Sequence, residues 1–447
     1  MNPARYDVAS LREVWHRMRR VGWTGLPRRL ATGVDGMRAE AFEANLDRNL
    51  AEVARRIARN DDEGLPSYAF APLLRIVQAK GGGTGERALH VPRVRDQLVL
   101  RAMHDALLEA ARAGLGVDLR TPPPAVVVAR FREAIRGLSN PYVLRTDIRA
   151  FFDSAPRERL VEQAIALGLD PVSSGLFRSW SRQVRARPAW RAGTHHDVPA
   201  AGLPQGLSVS ASLAELLGNA IDRKAAPRFR WFRYVDDILV VCGSAREADE
   251  ACGWVADEVA TFGLELSPAK TAVRRFEDGV SWLGMTHGPS GTHADPARVQ
   301  RWVARFALMR RRAGAEIRAT TDPAEARRVA ADFERAVRAE VEGKTSTRAA
   351  WYALVEDDGA FRELDQSIHA LVRSVRRSAG LPPPEGRNLP SVHRHVRARR
   401  TRFPTPSSAE QGPCATLPSQ GGPNAEQGQK APDGVGNPSI TPEADRR

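Results

Sequence analysis

Cysteine is scarce in this chain: Cys242, Cys252 and Cys414 are too few and too scattered for a disulfide framework or a paired-cysteine zinc site, and they fit a reducing cytosol. Nowhere does an apolar run reach the roughly 18 residues that crossing a bilayer demands. The N-terminal MNPARYDVASLREVWHRMRR lacks the apolar core and small-residue cleavage site of an export signal. The expectation is a soluble, cytoplasmic protein with no membrane partner. A repeat of fixed period is also missing. The glycine cluster GGGTG at 81–85 is not set between a strand and a helix as a pyrophosphate-cradling GxGxxG would be, which argues against a dinucleotide-dependent oxidoreductase.

What is present is length and positive charge. At 447 residues the chain exceeds one ordinary domain, so two or three packed regions are expected. Lys and Arg outnumber Asp and Glu by 67 to 53, a formal charge of +14 with a pI near 10.6. Such a balance attracts polyanions, and nucleic acid is the first partner it suggests.

Apolar periodicity predicts helices over 9–31 and 37–59, the second with Phe42, Leu46, Leu50, Val53 and Ile57 on one face. Residues 71–92 read as two short strands joined by the Gly-rich tip, with Lys80 and Arg87 flanking it. A buried helix follows at 96–113. Strands are expected at 142–148 and on both sides of an acidic turn within 230–242, with helices at 156–168, 209–223 and 245–262. Residues 297–315, 323–343 and 349–377 are Arg-rich helices. From 380 to 447 Pro, Gly, Ser, Gln and Asn take over, a composition that buries too little apolar surface to offset its ordering entropy, so this tail is expected to be disordered. Its basic run at 393–402 could hold a phosphate backbone loosely.

Three aspartates stand out. Asp147 closes an apolar strand, and Asp236 and Asp237 interrupt a strand pair whose flanks, Trp231-Phe232 and Ile238-Leu239-Val240-Val241, are as apolar as a core. Adjacent carboxylates buried without cations would repel at a cost of several kcal/mol, so they sit at an exposed turn or hold metal. Joining nucleotides takes two divalent ions about 4 Å apart, one activating the attacking 3′ hydroxyl and one neutralising the leaving pyrophosphate. Carboxylates at adjacent strand ends suit hard ions such as Mg2+. An isolated YVDD would usually be a solvated acidic hairpin turn.

The order of motifs around it resembles that of the reverse transcriptases over residues 33–287. Thr146 through Asp153 (TDIRAFFD) matches the first palm motif, Gly202-Leu203-Pro204-Gln205-Gly206 the second, and Tyr234-Val235-Asp236-Asp237 the YxDD box. Leu264-Glu265-Leu266 through Lys270-Thr271 is similar to the fourth motif, and Trp282-Leu283-Gly284 to the fifth, a primer grip.

This resemblance implies an α+β right-hand polymerase: fingers over 1–100, palm with an antiparallel sheet over 101–286, and a helical thumb over 287–379. It implies an RNA-directed DNA polymerase with RNA template, nascent DNA and deoxynucleoside triphosphates as partners. Two Mg2+ ions, with Mn2+ as a substitute, would sit on Asp147, Asp236 and Asp237. The same resemblance gives Lys80 and Arg87 the incoming triphosphate, Gln205, Gly206 and Tyr234 the positioning of primer and nucleotide, and Lys270 a phosphate contact or general-acid role. Phe152 stands where the family places a ring that collides with a ribose 2′ hydroxyl. Phe151 and Phe152 would face opposite ways on an extended strand.

The chain also departs from the common pattern. Ser210-Ala211 stands where Ser-Pro is frequent, and with Leu213-Ala214-Glu215 and Ile221-Asp222 it looks more like the abortive-infection and defence-associated bacterial enzymes. The Gly33-Val34-Asp35-Gly36 turn and the 80–92 hairpin are instead similar to the group II intron lineage. No Cys-rich nuclease segment, RNase H-like acidic set or integrase region is recognisable, so antiphage defence is the expected setting, with a neighbouring non-coding RNA as a candidate partner. An untemplated terminal nucleotidyltransferase and a catalytically idle RNA-binding scaffold are the rival readings.

Overall fold

The computed structural model describes residues 3–21, 32–59, 68–79, 86–188, 198–199, 201–342, 354–356, 359–384 and 389–394. All lie in the first of two compact units, Met1–Pro406. Lys80, the hairpin tip 81–85, the end of the 9–31 helix, the start of the 349–377 helix and everything after 394 fall outside the described residues.

The N-terminal helices are α1 (Val8–Val21), α2 (Ala39–Glu43) and α3 (Leu46–Ile57). On α3, Leu50, Val53 and Ile57 recur at helical spacing and are buried, while the Arg and Glu residues between them face water. Strands β1 (Leu73–Ala79) and β2 (Glu86–Val91) pair antiparallel, as the alternating sequence suggests. The 22-residue α4 (Val94–Leu115) is apolar on most sides and runs through the interior, ending on Gly116 in the left-handed region. Helix α5 (Pro124–Ile135), opened by a run of prolines, leads to the first central strand, β3 (Tyr142–Asp147).

Next come α6 (Phe151–Ser154), α7 (Arg157–Ala166), α8 (Pro171–Gln183), β4 (Arg185–Pro188) and β5 (Val198–Pro199). The region continues with α9 (Ser208–Ala225), β6 (Arg230–Tyr234), β7 (Asp237–Cys242), α10 (Ala245–Ala260) and β8 (Ala272–Arg275). Strands β9 (Val280–Trp282), β10 (Met285–Gly288) and β11 (Gly291–Ala294) precede three long helices, α11 (Pro296–Ala319), α12 (Pro323–Glu342) and α13 (Gly359–Ser378).

The central sheet is antiparallel, in the order β6-β7-β3-β8. Both of its faces are covered. Leu144, Ile238 and Val240 point into a core shared with the N-terminal helices, α4 and α7 to α10, whereas Val143, Leu239 and Val241 point into a second core with α5, β9 to β11 and α11 to α13. Two-sided burial is why residues 238–242 read as an unbroken apolar run.

Several expectations need correcting. The β1–β2 hairpin is not a two-stranded element by itself: β4 adds to β1 in parallel and completes a sheet ordered β2-β1-β4-β5. The region after 287 is not wholly helical: β10 and β11 extend a three-stranded sheet to Ala294, and helices start at Pro296. Phe151 and Phe152 lie on a short helix rather than a strand. The packed chain also passes residue 380. The buried Asp365 carboxylate of α13 accepts bonds from Ser391 Oγ (2.6 Å), Val392 N (2.7 Å) and His393 N (3.3 Å), while Leu389 and Val392 enter the second core. A short polar segment is thus ordered by one carboxylate that needs its donors.

Candidate active site

Asp147 ends β3, and Asp237 stands directly opposite it at the start of β7. The β6–β7 connection has only two residues, Val235 and Asp236, between the paired Tyr234 and Asp237. Val235 sits at φ 60, a conformation that costs a non-glycine residue about 1–2 kcal/mol and is rarer still for a branched side chain. Two-residue hairpins usually place Gly or Asn there. The strained turn is tied to its neighbour, since Ile148 N donates to the Asp236 carbonyl at 3.0 Å. From the other side, Ser267 N donates to the Asp147 carbonyl at 2.7 Å and Arg149 N to that of Glu265 at 2.8 Å. The segments bearing the three aspartates and Lys270 therefore share one backbone network.

The side chains are electrostatically unequal. Burial first, and the Asp147 charge second, push the Asp236 carboxyl from its ordinary 3.8 up to about 6. Asp237 is raised by burial, opposed by Arg145, which donates Nε to Oδ1 (3.2 Å) and Nη2 to Oδ2 (3.1 Å). The same guanidinium gives Nη1 to the Ser281 carbonyl at 2.6 Å, linking the central sheet to β9. Asp147, 7% exposed, accepts from Lys270 Nζ at 2.7 Å through Oδ2.

Among the described residues no three His, Cys, Asp or Glu side chains form a ready-made metal cage. Magnesium does not need one, because it takes one or two carboxylates and completes its shell with water and substrate phosphates. Asp147 and Asp236 suit that demand: Asp147 is buried at the end of β3, Asp236 is half-buried in the β6–β7 turn, and their charges repel. Asp237, expected as a third ligand, also accepts from Arg145 at both carboxylate oxygens. The donor set fits a divalent cation through the first two.

The other expected residues converge only in part. Gly202, at φ 52, lies so close to the Phe152 carbonyl that a Cβ would overlap it, and Leu203 N donates to that oxygen at 2.7 Å. Arg157 Nη1 donates to the Gly202 carbonyl at 2.8 Å. Gly206, at φ 106, approaches the His90 carbonyl, which a Cβ would meet at 2.9 Å. Gln205 ties this turn to β2: its backbone carbonyl accepts from His90 N (2.8 Å) and its Oε1 from Arg87 Nε (2.6 Å). The 202–206 turn thus joins the hairpin to the segment after Asp147, and Arg87 and Gln205 touch.

Phe151 is buried, and Phe152, edge-on to it at 5.8 Å, is half-buried and packs against the same core. Tyr234 is half-buried, and burial raises its hydroxyl. The 282–284 segment differs from expectation in what it can offer. Trp282 and Leu283 are buried in the second core, and Leu283-Gly284 forms a two-residue turn with both φ positive, so neither large side chain is exposed to a primer. Lys80 lies outside the described residues.

Sequence reasoning missed Arg145 and Arg233. The signal was present: Arg145 precedes Asp147 by two residues on one strand, hence shares its face. Arg233 likewise precedes Val235 by two.

Residues 80–287 match the family model described as reverse transcriptase (RNA-dependent DNA polymerase). A search of the curated proteins finds no match. Among solved structures, this chain is similar to apo telomerase from Candida tropicalis truncated from its C-terminal domain, at 14% identity and TM-score 0.39 over 48% of this chain and 53% of that one. It is also similar to telomerase from Candida albicans in complex with a telomeric RNA fragment (10% identity, TM-score 0.40, 77% and 68% of the two chains). Apo telomerase from Candida tropicalis gives 11% identity and TM-score 0.42 over 82% and 69%. The chain spans about half the length of the first of these.

Proposed function

We propose, from the reverse transcriptase domain at residues 80–287, that this chain extends a primer 3′ end with deoxynucleotides copied from an RNA template. The observation that carries the proposal is the approach of two mutually repelling carboxylates, buried Asp147 at the end of β3 and half-buried Asp236 in the β6–β7 turn. Asp147 and Asp236 would hold divalent cations, Mg2+ or in its place Mn2+, which supply activation of the attacking hydroxyl and neutralisation of the leaving pyrophosphate. In the reaction the 3′ oxygen bonds to the α-phosphorus and the bond from the α-phosphorus to the bridging oxygen breaks.

The chain's own groups do the rest. Arg87, already held by Gln205, presents its remaining guanidinium donors to the triphosphate, with Lys80 as its assigned partner. Gln205, Gly206 and Tyr234 position nucleotide and primer, as does the Leu283-Gly284 backbone beside Trp282. Phe152 excludes the ribose 2′ hydroxyl, and Lys270 Nζ supplies a proton to the departing pyrophosphate. Within this reading the β1–β2 hairpin belongs to the fingers, the central sheet to the palm, and α11 to α13 to a basic thumb that grips phosphates.

The test is incorporation of labelled deoxynucleotides on a primed RNA template with Mg2+, beside Asp147→Ala and Asp236→Ala. Product from the unmodified protein alone supports the reading. Equal product without template would move it to a terminal transferase, and none on any template would move it to an RNA-holding scaffold. For biological role we place the chain in cytoplasmic antiphage defence, with a neighbouring non-coding RNA as template. The Ser210-Ala211 and Leu213-Ala214-Glu215 form supports that role. Equal phage plating on cells carrying the chain or its Asp236→Ala variant would instead favour a group II intron-like retroelement, to which the Gly33 to Gly36 turn points.

A further inference from the structure

Arg233 makes a contact that the proposed reaction does not use. Its side chain is 6% exposed and turned from β6 into α9. There it meets two carboxylates: Nε and Nη2 donate to Asp222 Oδ1 and Oδ2 at 2.9 and 2.8 Å, and Nη2 also donates to Glu215 Oε2 at 2.9 Å. Both acids are fixed in turn, Asp222 by Trp231 Nε1 (2.7 Å) and Glu215 by Thr121 Oγ1 (2.8 Å). Glu215, Gly218 and Asp222 recur on one face of α9, and Gly218 lacks a side chain where the guanidinium lies: a Cβ there would overlap Cζ.

The remaining nitrogen, Nη1, leaves the carboxylates and donates to the Val235 carbonyl at 2.9 Å. Val235 is the strained residue of the turn, and its carbonyl belongs to the peptide preceding Asp236. The peptide following Asp236 is held separately, by Ile148 N at 3.0 Å. Both peptide planes that flank Asp236 are therefore pinned, one by Ile148 just after β3 and one by Arg233.

We propose that Arg233, seated on Glu215 and Asp222 in the space left by Gly218, is a positioning residue that fixes the backbone at Asp236 and thereby aims its carboxylate at the divalent cation. The inference rests on the reading of Asp147 and Asp236 as the cation site. A buried ion triad is seldom more stabilising than an apolar set of the same shape, so stability alone gives weak reason for it. The fourth bond, to the turn, gives it a task. Lysine has one compact ammonium and would not span Asp222, Glu215 and the Val235 carbonyl together.

The experiment measures Mn2+ binding by loss of the free-ion paramagnetic resonance signal, together with deoxynucleotide kcat and KM and the Tm, on the full chain. Removing Arg233 alone would strand the buried Glu215 and half-buried Asp222 carboxylates, so two gentler variants are used. The Arg233→Met, Glu215→Gln, Asp222→Asn triple variant dissolves the triad without leaving a buried charge. Gly218→Ala displaces the guanidinium while improving the local helix propensity. Supporting positioning residues of metal sites typically change affinity or rate by about 10–100-fold. The expected result is that Mn2+ affinity of both variants weakens by about tenfold or more and kcat falls alongside, with KM for the nucleotide within about threefold of the parent. Mn2+ affinity and kcat unchanged in folded variants, whatever happens to Tm, would overturn the proposal. Failure of the underlying reading looks different. If the parent binds Mn2+, loses it with Asp236→Ala and yet makes no DNA, the polymerase falls and a weakened Mn2+ affinity in the two variants still supports the clamp; if the parent binds no Mn2+ dependent on Asp236, both fall.

Discussion

Asp236 contributes to function what it takes from stability. Its carboxyl, raised from 3.8 to about 6, marks up to about 3 kcal/mol of unfavourable charge burial at neutral pH. The folded state binds this proton more tightly than the unfolded chain, so the group's contribution is least unfavourable below pH 4 and stability is lost as pH rises through 6. Asp236→Asn is accordingly expected to raise the Tm of the metal-free protein at pH 7.5 while abolishing nucleotide incorporation, and the gain should vanish near pH 4. Thermal melts at both pH values check this. Phe152 poses a separate residue-scale question. Its half-buried ring is expected to set sugar choice, so Phe152→Ala should lower the ratio of deoxynucleotide to ribonucleotide kcat/KM by at least about tenfold. An unchanged ratio would leave the ring as packing only. The aspartates were legible because two adjacent carboxylates inside an apolar run demand a reason. Their partners were not, since Arg145 and Arg233 look like two more basic residues in an Arg-rich chain, and only folding shows which carboxylate each one meets.

At the scale of elements, the long periodic helices and the central strands could be read directly. Residues 238–242 have one interpretation once both faces are buried, and α3 and α10 carry their apolar positions at regular helical spacing. The short pieces were missed for a physical reason. Strand β4 is RARP and β5 is VP, whose β character comes from the neighbour they pair with rather than from their own side chains. The 202–206 turn was legible as a motif but not as a joint. Its Gly202 sits against the Phe152 carbonyl at positive φ, so Gly202→Ala combines backbone collision with strain. The expected outcome is a turn displaced from β2: deoxynucleotide KM should rise at least about tenfold as Gln205 releases Arg87, and a Tm drop of several degrees should accompany it. Steady-state kinetics with a melt on the same preparation checks both.

For the whole molecule, the decisive arrangement is one sheet between two cores. Phe131 of α5 is a joint of the second core, lying edge-on to Phe232 of the central sheet and to Trp282 and His287 of the β9–β11 sheet. Phe131→Ala is expected to destabilise the fold by about 3–5 kcal/mol. A denaturant midpoint within error of the parent would contradict that. Burial also drives His287 down to about 4. Being neutral in the fold, it withdraws stability as pH falls from 6.5 toward 4, opposite in sign to Asp236.

The parallel pairing of β1 with β4 carries a further consequence, for synthesis on the ribosome. The β1–β2 hairpin emerges early, but Leu73, Leu74 and Arg75 wait for Ala186, Arg187 and Pro188, more than a hundred residues later, to cover that edge. Until then the nascent chain shows an open strand edge, the kind of surface that recruits chaperones or a second chain. Slow translation between the two segments would prolong that exposure, and yield of folded protein should therefore depend on codon choice over 80–185 more than on codon choice after 200.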